Sequence, residues 1–317
     1  MYILNDCFAQ TVQVEKYADP AYFGISYGSS SRAETPPINS RTGCIANGCV
    51  GECLNASDIA APLDVQDGTG YFIKEFIPAS SSDILKLSEL QFPSLAVITE
   101  RIVHDEKLEL ITEVGDMGTL EEFIKSFGCP VEDAITYLSQ IGEAVLFLHN
   151  RRFIHRNLRA ASIFIDSNGN TKLACLGRVR KVKPNPDDLF STMPIKLSMS
   201  DDSLRWSSPE VITDGMFSKA SDVWAFAVLI WEIFTLIDKD LDESDEEISH
   251  LPYHQLTSKD LIFPYLNNGQ RLGKPKNCPD ALYEMMLQCW EFCAEDRLRC
   301  QDVVQRIEEQ VCLNVYS

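Results

Sequence analysis

The spacing of apolar residues changes once along the chain, near residue 115. Before this point, short runs with β-strand character dominate, at Gly70 to Ile77, Leu95 to Val103 and Lys107 to Val114. After it, apolar residues recur at helical spacing over longer segments. These segments are 120–127, 131–150, 220–236, 258–268, 279–293 and 299–312. The sequence therefore predicts an α+β fold of two lobes, a small antiparallel β lobe followed by a larger, mainly helical lobe.

The composition of the 317-residue chain sets the boundaries of these parts. Residues 1–42 are rich in Pro, Ser and Gly, as in YFGISYGSSSRAETPPINS, and predict a flexible N-terminal arm. The β lobe is predicted over residues 43–114 and the helical lobe over residues 115–317. Within the helical lobe, the acidic run in residues 238–250 cannot bury itself and predicts an insert. The insert is either a solvated loop or a docking site for a basic partner.

The charge balance and the apolar runs exclude several classes of partner. Lys and Arg number 28 against 47 Asp and Glu, a net charge of -19, so DNA, RNA and anionic lipid would be repelled. The longest apolar run, 225–231, is far shorter than the roughly 20 residues of a membrane span. Met1 to Asp6 lack the basic start and apolar stretch of a secretory signal. We expect a cytoplasmic chain that binds no nucleic acid.

The cysteines do not predict a metal site. Eleven of them, an odd number, are scattered along the chain and fit reduced thiols. Cys44, Cys49 and Cys53 form the densest group, but their spacings are not those of a CxxC pair and no His lies nearby. We therefore predict no bound metal at this cluster.

One polar loop lies between two apolar runs early in the helical part, in the stretch FIHRNLRAASIFID from residue 153 to residue 166. It resembles the catalytic loop of protein kinases, H-R-D-x-x-x-x-N, whose Asp accepts the substrate hydroxyl proton and whose Asn holds a magnesium ion. His155 and Arg156 match this pattern, whereas Asn157 and Ser162 replace the Asp and the Asn. The Asn157 amide cannot take up a proton at neutral pH, and Ser162 offers a metal only a neutral hydroxyl.

A third substitution falls on the metal-binding D-F-G of the family. Here the chain reads Cys175-Leu176-Gly177, and a thiol is a poor ligand for magnesium, which prefers hard oxygen donors. Losing the general base alone typically costs about 10² to 10⁴ in rate, and losing the metal removes several kcal/mol more of transition-state stabilisation. The resemblance therefore implies a pseudokinase, with no catalytic residues at the degenerate positions 157, 162 and 175.

Elements that bind nucleotide in the family are partly retained. Residues 46–53 resemble the glycine-rich loop and keep Gly48 and Gly51, although a plain β-turn is the alternative. Tyr71-Phe72-Ile73-Lys74 resembles the third-strand V-A-x-K, which makes Lys74 the candidate phosphate ligand. Glu89, in a short helical segment predicted over 83–90, is its candidate ion-pair partner. The alternative is a surface lysine at a strand end.

The linker between the lobes supplies the remaining candidates for nucleotide binding. Thr112, Glu113 and Val114 stand where the family has its hinge. The resemblance leaves two possibilities for a cofactor, which are ATP held without magnesium and no cofactor at all. Binding of a ligand to the folded state alone would raise stability by mass action.

Other matching residues have structural roles in the family. Trp206-Ser207-Ser208-Pro209-Glu210 resembles W-x-A-P-E, which implies an ion pair between Glu210 and Arg297. Asp222 is expected to hold the backbone of the loop at His155 and Arg156 by hydrogen bonds. His155 is expected to be a packed core residue rather than a catalyst.

The branch of the family is indicated by three stretches. Leu158 to Ala161 carries the Arg-containing loop of tyrosine kinases, and residues 217–226 and 282–290 look most like the discoidin-domain receptor tyrosine kinases. The resemblance extends over about residues 43–312. It implies a tyrosine-kinase-like pseudokinase that works in receptor signalling as a scaffold or an allosteric partner. The expected partners are an active kinase or a phosphotyrosine-binding adaptor.

Two alternatives stay open at this point. The first is a weak ATP-dependent protein tyrosine kinase of receptor type, in which Lys74, Gly48 and Gly51 still hold the nucleotide. The second concerns location, because the chain is either a free cytoplasmic protein or the intracellular part of a membrane receptor.

Overall fold

A computed structural model describes most of the chain from residue 71 onwards and two short strands before it. The described residues are 12–16, 59–60, 71–78, 86–103, 107–182, 202–238, 250–256 and 258–315. Their sheet and helices are arranged as a β part that ends at Val114 and a helical part that follows it. The predicted α+β fold of two lobes is confirmed.

The β part is a five-stranded sheet with the strand order β2-β1-β3-β5-β4. Its strands are β1 Val12–Lys16, β2 Ile59–Ala60, β3 Tyr71–Pro78, β4 Val97–Val103 and β5 Lys107–Val114. Neighbouring strands run antiparallel except β1 and β2, which are parallel. The sequence predicted β3, β4 and β5 because their apolar residues alternate or cluster at strand spacing.

The first strand lies inside the region predicted as a flexible arm. Val12–Lys16 pairs antiparallel with β3, and Val14 is opposite Ile73. Val12 and Val14 alternate with polar residues, which is the pattern of a strand with one apolar face. The prediction of an arm over the whole of residues 1–42 is therefore corrected at these five residues.

The helical part is built around one buried helix. Its helices are α1 Leu120–Phe127, α2 Val131–Asn150, α3 Pro209–Asp214, α4 Lys219–Leu236, α5 Ile262–Asn267, α6 Asp280–Cys289 and α7 Cys300–Val315. Nearly every residue of α4 is buried, and α2 and α6 pack against it. A helix that is apolar on all sides must lie in the core, which explains why α1, α2, α6 and α7 all pack against α4.

Local sequence sets several helix ends. Thr119 caps α1, because its side chain accepts from Glu122 N while the Glu122 carboxylate accepts from Thr119 N. Ser218 and Ser221 form the same reciprocal cap on α4. The helix predicted over 279–293 ends at Cys289, where the buried indole of Trp290 donates to Trp224 O of α4. The helix predicted over 258–268 is a 3₁₀ turn, Lys259–Leu261, followed by α5.

Two small antiparallel ribbons hold the loops of the candidate site. The strands are β6 Phe153–Ile154, β7 Ile163–Ile165, β8 Thr171–Leu173 and β9 Arg180–Lys181, with β6 paired to β9 and β7 paired to β8. The loop 155–162 therefore begins at β6 and ends at β7. A 3₁₀ turn, Leu176–Arg178, joins β8 to β9 and lies beside this loop.

Candidate functional site

The backbone of the loop 155–162 is held by one carboxylate of the buried helix. Asp222 Oδ2 accepts from His155 N at 2.7 Å, and Asp222 Oδ1 accepts from Arg156 N at 2.9 Å. His149 Nε2 lies 3.0 Å from Asp222 Oδ2. Burial alone would raise the pKa of Asp222, but the hydrogen bonds from His149 and from the backbone of His155 lower it. The two oxygens of the Asp222 carboxylate thus bind two neighbouring backbone N–H groups of the loop 155–162.

His155 is packed into the core. Its ring is completely buried, and Nε2 lies 2.9 Å from Ala174 O, just after β8. Burial lowers the pKa of His155 to about 4, although Asp222 acts in the opposite direction. A neutral imidazole bound to a backbone carbonyl connects the loop 155–162 to the turn 175–178, and this is a structural role.

The side chains of Asn157 and Ser162 are bound to each other. Asn157 Nδ2 donates to Ser162 Oγ at 2.9 Å, and both side chains are buried. Ser162 O also accepts from Ala174 N at 2.9 Å. Both side chains are neutral, so neither of them supplies a proton acceptor of suitable pKa or an anionic oxygen.

Cys175 begins the turn that follows β8. It is buried and has a left-handed backbone conformation, with φ of 57°. Within the described part of the chain, no group of three or more His, Cys, Asp or Glu side chains could hold a metal ion. The amide of Asn157, the hydroxyl of Ser162 and the thiol of Cys175 include no carboxylate, so they do not fit a magnesium ion, which proteins bind through one or two carboxylates.

One face of β3 points towards the helical part. Ile73 is completely buried and belongs to a small apolar cluster that includes Phe164 of β7 and Ala174. In the register of the sheet, Ile73 is opposite Thr112, so both side chains lie on the same face. Side chains two residues apart on a strand share a face, which places Glu75 on it as well.

Glu75 extends from this face to the turn that follows β8. Its side chain is 1% exposed, and Oε2 accepts from Gly177 N at 2.9 Å. Burial raises the pKa of Glu75 to about 7, and the hydrogen bond from Gly177 N and the nearby Arg178 and Arg180 act in the opposite direction. A buried carboxylate thus lies between β3 and the turn Leu176–Arg178. The sequence reasoning missed it, although reading Phe72-Ile73-Lys74-Glu75 as V-A-x-K would have placed an acid at the lysine position.

The assignments of Lys74 and Glu89 are corrected by the structure. Lys74 lies on the other face of β3, where its Nζ is 3.7 Å from Glu109 Oε1. Glu89 is exposed in the turn after a helical segment at residues 86–87, and the described residues show no ion pair between it and Lys74. A match shifted by one residue would put Glu75 at the lysine position of the motif, and in a strand such a shift changes the face of every side chain.

The other residues assigned to nucleotide binding do not lie together: those of β5 lie on two different faces of the sheet. Thr112 and Val114 are buried on the face that points towards the helical part, and Thr112 Oγ1 has no hydrogen-bond partner among the described residues. Glu113 is exposed and, by strand alternation, lies on the opposite face. Gly48 and Gly51 lie outside the described residues.

A comparison with known sequences identifies the family. The family model described as protein tyrosine and serine/threonine kinase matches residues 76–307. The chain belongs to this protein kinase family. Its β part and helical part correspond to the two lobes of a kinase domain, and the loop 155–162 and the turn 175–178 occupy the region between them.

Receptor tyrosine kinases are among the relatives of this kinase-family chain. It is 26% identical to ephrin type-A receptor 5 of Rattus norvegicus over 227 residues, which are 71% of this chain and 21% of the receptor. It is also 26% identical to ephrin type-A receptor 8 of Homo sapiens over 224 residues, 70% of this chain and 20% of the receptor. The matched region thus covers about a fifth of each receptor's length. The predicted likeness to discoidin-domain receptors stays a prediction.

The structural ion pair of this kinase domain involves Glu210 and Arg297. Arg297 Nη1 and Nη2 each lie 2.7 Å from a different carboxylate oxygen of Glu210, and the arginine side chain is completely buried. Two parallel charge-assisted hydrogen bonds are the strong form of this interaction. The pair joins the start of α3 to the segment before α7.

A second buried acid, which sequence reasoning also missed, supports the loop 155–162. Glu232 Oε2 accepts from Ala160 N at 2.9 Å and from Trp206 Nε1 at 3.0 Å. Burial raises the pKa of Glu232 to about 8, although these hydrogen bonds and Arg159 act in the opposite direction. A Glu inside the apolar stretch AFAVLIWEIF was the available sequence signal, because a buried charge requires partners.

The helices were also compared with the length and hydropathy of a membrane span. Among the described residues, none of them is long and apolar enough to cross a bilayer.

Proposed function

We propose that this kinase-family chain is a tyrosine-kinase-like pseudokinase that acts in signalling as a scaffold or an allosteric partner. The hydrogen bond from Asn157 to Ser162 is the observation that carries the proposal. In an active kinase the first position is a carboxylate that accepts the proton of the substrate hydroxyl, and the second holds magnesium. Here both side chains are neutral and are bound to each other.

The position of Glu75 also supports the absence of phosphoryl transfer. Active kinases have a lysine on the third strand that contacts the nucleotide phosphates. On the face of β3 that points between the lobes, this chain has a buried carboxylate instead. An acid at this position supplies no cation for the phosphates, and in its ionised form it repels a triphosphate at short range. We therefore propose that ATP is not bound, with or without magnesium.

The proposed partners follow from the family. A kinase domain without chemistry can still present its surfaces to other proteins, and an active kinase and a phosphotyrosine-binding adaptor are the partners we propose. We propose that the chain lies on the cytoplasmic side, as a free protein or as the intracellular part of a receptor. The relatives named above are receptors, which supports the second possibility.

A second candidate function is a weak ATP-dependent protein tyrosine kinase of receptor type. The family match over residues 76–307 favours it, together with the retained His155 and Asp222 that hold the loop backbone. It requires that a group other than Asn157 accepts the proton of the substrate hydroxyl. It predicts that Asn157→Asp raises the rate of phosphate transfer.

The experiment compares thermal unfolding and phosphate transfer in the purified chain. ATP is added with and without magnesium, and transfer to a Glu-Tyr copolymer is measured with labelled ATP. A ligand at 100 times its Kd stabilises by about 2.7 kcal/mol, which would raise Tm by several degrees. We expect no shift and no transfer in the wild type, and no transfer after Asn157→Asp.

Two variants serve as matched controls. Glu75→Lys restores a cation on the face of β3 that points towards the helical part, so we expect ATP to raise Tm without phosphate transfer. Glu75→Gln removes only the negative charge, so ATP should raise Tm less or not at all. Magnesium-dependent transfer by the wild type, increased by Asn157→Asp, would establish the weak kinase and overturn the pseudokinase. A shift in the wild type without transfer would show that nucleotide is a structural ligand.

A further inference from the structure

We infer that side chains of the chain itself join the two lobes into one cooperative unit, with no ligand needed between them. Active kinases instead close by a hinge motion of their lobes around a ligand. This joining goes beyond the pseudokinase function and does not depend on it, because it concerns the chain without nucleotide. It is centred on five residues that we call the interlobe cluster, Ile73, Ala96, Val114, Phe164 and Ala174.

Both lobes contribute to the interlobe cluster. Ile73, Ala96 and Val114 come from the β part, whereas Phe164 of β7 and Ala174 come from the helical part. None of the five is more than 8% exposed, and Ile73 and Ala174 are completely buried. Separating the lobes would expose this apolar surface to water, which opposes their opening.

Hydrogen bonds to the backbone join the lobes beside this cluster. Leu173 N of β8 donates to Ser94 O at 2.8 Å, and Ala96 N donates to Leu173 O at 3.0 Å. Lys172 Nζ donates to Pro93 O at 2.6 Å. Strand β8 of the helical part is therefore bound directly to the segment that precedes β4.

The connection between the lobes is itself bound to β7. Met117 N donates to Ile165 O at 2.9 Å, and Ile165 N donates to Gly118 O at 3.0 Å. A Cβ at Gly115 would lie 2.2 Å from the same Ile165 O, so the two backbones are in close contact. A hinge has to absorb a large change in φ and ψ, and these contacts oppose such a change.

The largest apolar cluster of the protein also crosses the boundary between the lobes. Leu87, Leu95, Leu108 and Leu110 of the β part belong to the same buried cluster as residues of α2 and α4. Among the described residues, each apolar cluster that contains β-part residues thus also contains residues of the helical part. A sheet must bury its apolar face against another element, so we expect the β part to unfold with the helical part. A partner would then meet both lobes in one arrangement.

The test is amide hydrogen exchange of the whole chain without nucleotide, measured by mass spectrometry on peptides that cover β3, β5 and α4. If the lobes form one unit, the slowest amides of all three elements exchange only through global unfolding. They should then share one opening free energy, which equals the free energy of unfolding measured with urea.

Phe226→Ala distinguishes joint opening from separate opening. Phe226 lies in α4 and is completely buried in the core. Opening of the β part alone would leave this residue packed, so the substitution would not change such an opening. We expect protection of the slowest amides in β3 and β5 to fall together with that in α4, by about a hundredfold or more. If Phe226→Ala does not fold, Phe226→Leu should give a smaller fall that is again equal in both lobes.

Phe164→Ala tests the interlobe cluster. The cavity that it leaves should lower protection in β3, β5 and α4 by the same factor, again about a hundredfold. Phe127→Ala is the matched control, because Phe127 at the end of α1 is 66% exposed, and protection should change by no more than about twofold. If Phe164→Ala does not fold, Phe164→Leu takes its place and should still lower protection more than Phe127→Leu.

Three results would overturn the inference. They are a wild-type opening free energy that is lower in β3 and β5 than in α4, protection of β3 and β5 that Phe226→Ala leaves unchanged, and equal losses of protection in the variants at Phe164 and Phe127. These measurements involve neither ATP nor phosphate transfer, so their failure would leave the pseudokinase proposal untouched.

Discussion

Arg297 shows how much the kinase fold depends on single buried charges. Its guanidinium is completely buried, and besides Glu210 its hydrogen-bond partners are the carbonyl oxygens of Ala220, Glu291 and Phe292. These carbonyls are dipoles, so the compensating negative charge comes from Glu210. A residue of this kind contributes to the fold and has no part in the chemistry of the site.

We expect Glu210→Gln to lower the free energy of unfolding by about 3 kcal/mol, because it leaves the Arg297 charge buried without a counter-ion. Urea unfolding measures the change, with the denaturant slope checked for constancy. Lys125→Gln is the control, since Lys125 and Glu121 form an exposed i,i+4 pair on α1 that contributes at most about 0.5 kcal/mol. Equal losses in the two variants would show that the burial of Arg297 does not matter.

At the reaction centre, the identity of each residue could be predicted from the sequence, but the contacts between them could not. Asn157, Ser162 and Cys175 are visible as departures from the family motifs. The hydrogen bond between Asn157 and Ser162 depends on side-chain rotamers that no motif specifies. Glu75 was missed because its partner, Gly177, is 102 residues away in the chain.

At the scale of elements, amphipathic helices were predicted best. The bounds of α1 and α2 agree with the prediction, because each has an apolar stripe of helical period and a clear end. The position of β3 in the sequence was predicted correctly, but the face of the strand that points towards the helical part was not. Apolar residues stand at both odd and even positions of YFIKEFIP, so the sequence does not distinguish the two faces. Tertiary contacts of Ile73 and Glu75 decide which face points towards the helical part.

The connection between β5 and α1 gives an element-scale prediction. A Cβ at Gly115 would lie 2.2 Å from Ile165 O of β7, and all the nearest atoms are backbone. We expect Gly115→Ala to lower the free energy of unfolding by about 2 to 3 kcal/mol, because this connection cannot approach β7 with a side chain present. Urea unfolding measures the loss.

Gly273→Ala is the matched control, because a Cβ at Gly273 would meet nothing within 4 Å and the residue has no positive φ. It should be neutral or slightly stabilising, since alanine restricts the unfolded chain. A Gly115→Ala variant as stable as Gly273→Ala would mean that the connection shifts away from β7 at little cost.

Over the whole molecule, three buried acids connect the loops of the site to the core. Asp222 binds the loop 155–162, Glu232 binds the same loop and Trp206, and Glu75 binds the turn after β8. Burial raises the pKa of Glu75 and of Glu232, whereas hydrogen bonding and nearby His149 keep the pKa of Asp222 low. Stability should therefore depend on pH in a range where most proteins are insensitive to it.

The sign of this dependence follows from which state binds more protons. Glu232 has a pKa of about 8 in the folded protein against 4.5 as its ordinary value, so its stabilisation is fully present below pH 4.5 and is lost as the pH rises to 8. Glu75 acts in the same direction up to about pH 7. His155, with a pKa lowered to about 4 from 6.5, acts in the opposite direction, but only below pH 6.5. Between pH 6.5 and pH 8 the two acids therefore act without opposition from His155.

We expect the free energy of unfolding to fall by about 2 kcal/mol from pH 6.5 to pH 8, because each pH unit over which the folded state holds one extra proton costs about 1.4 kcal/mol. Urea unfolding at pH 6.5, 7.25 and 8 measures the slope. Glu232→Gln should remove most of it, since a neutral side chain can still accept from Ala160 N and Trp206 Nε1. Glu284→Gln, which removes an exposed acid of α6, should leave the slope unchanged. A wild-type stability that is constant or rises over this range, or a Glu232→Gln variant with the full slope, would show that Glu232 is already ionised in the folded protein at pH 6.5.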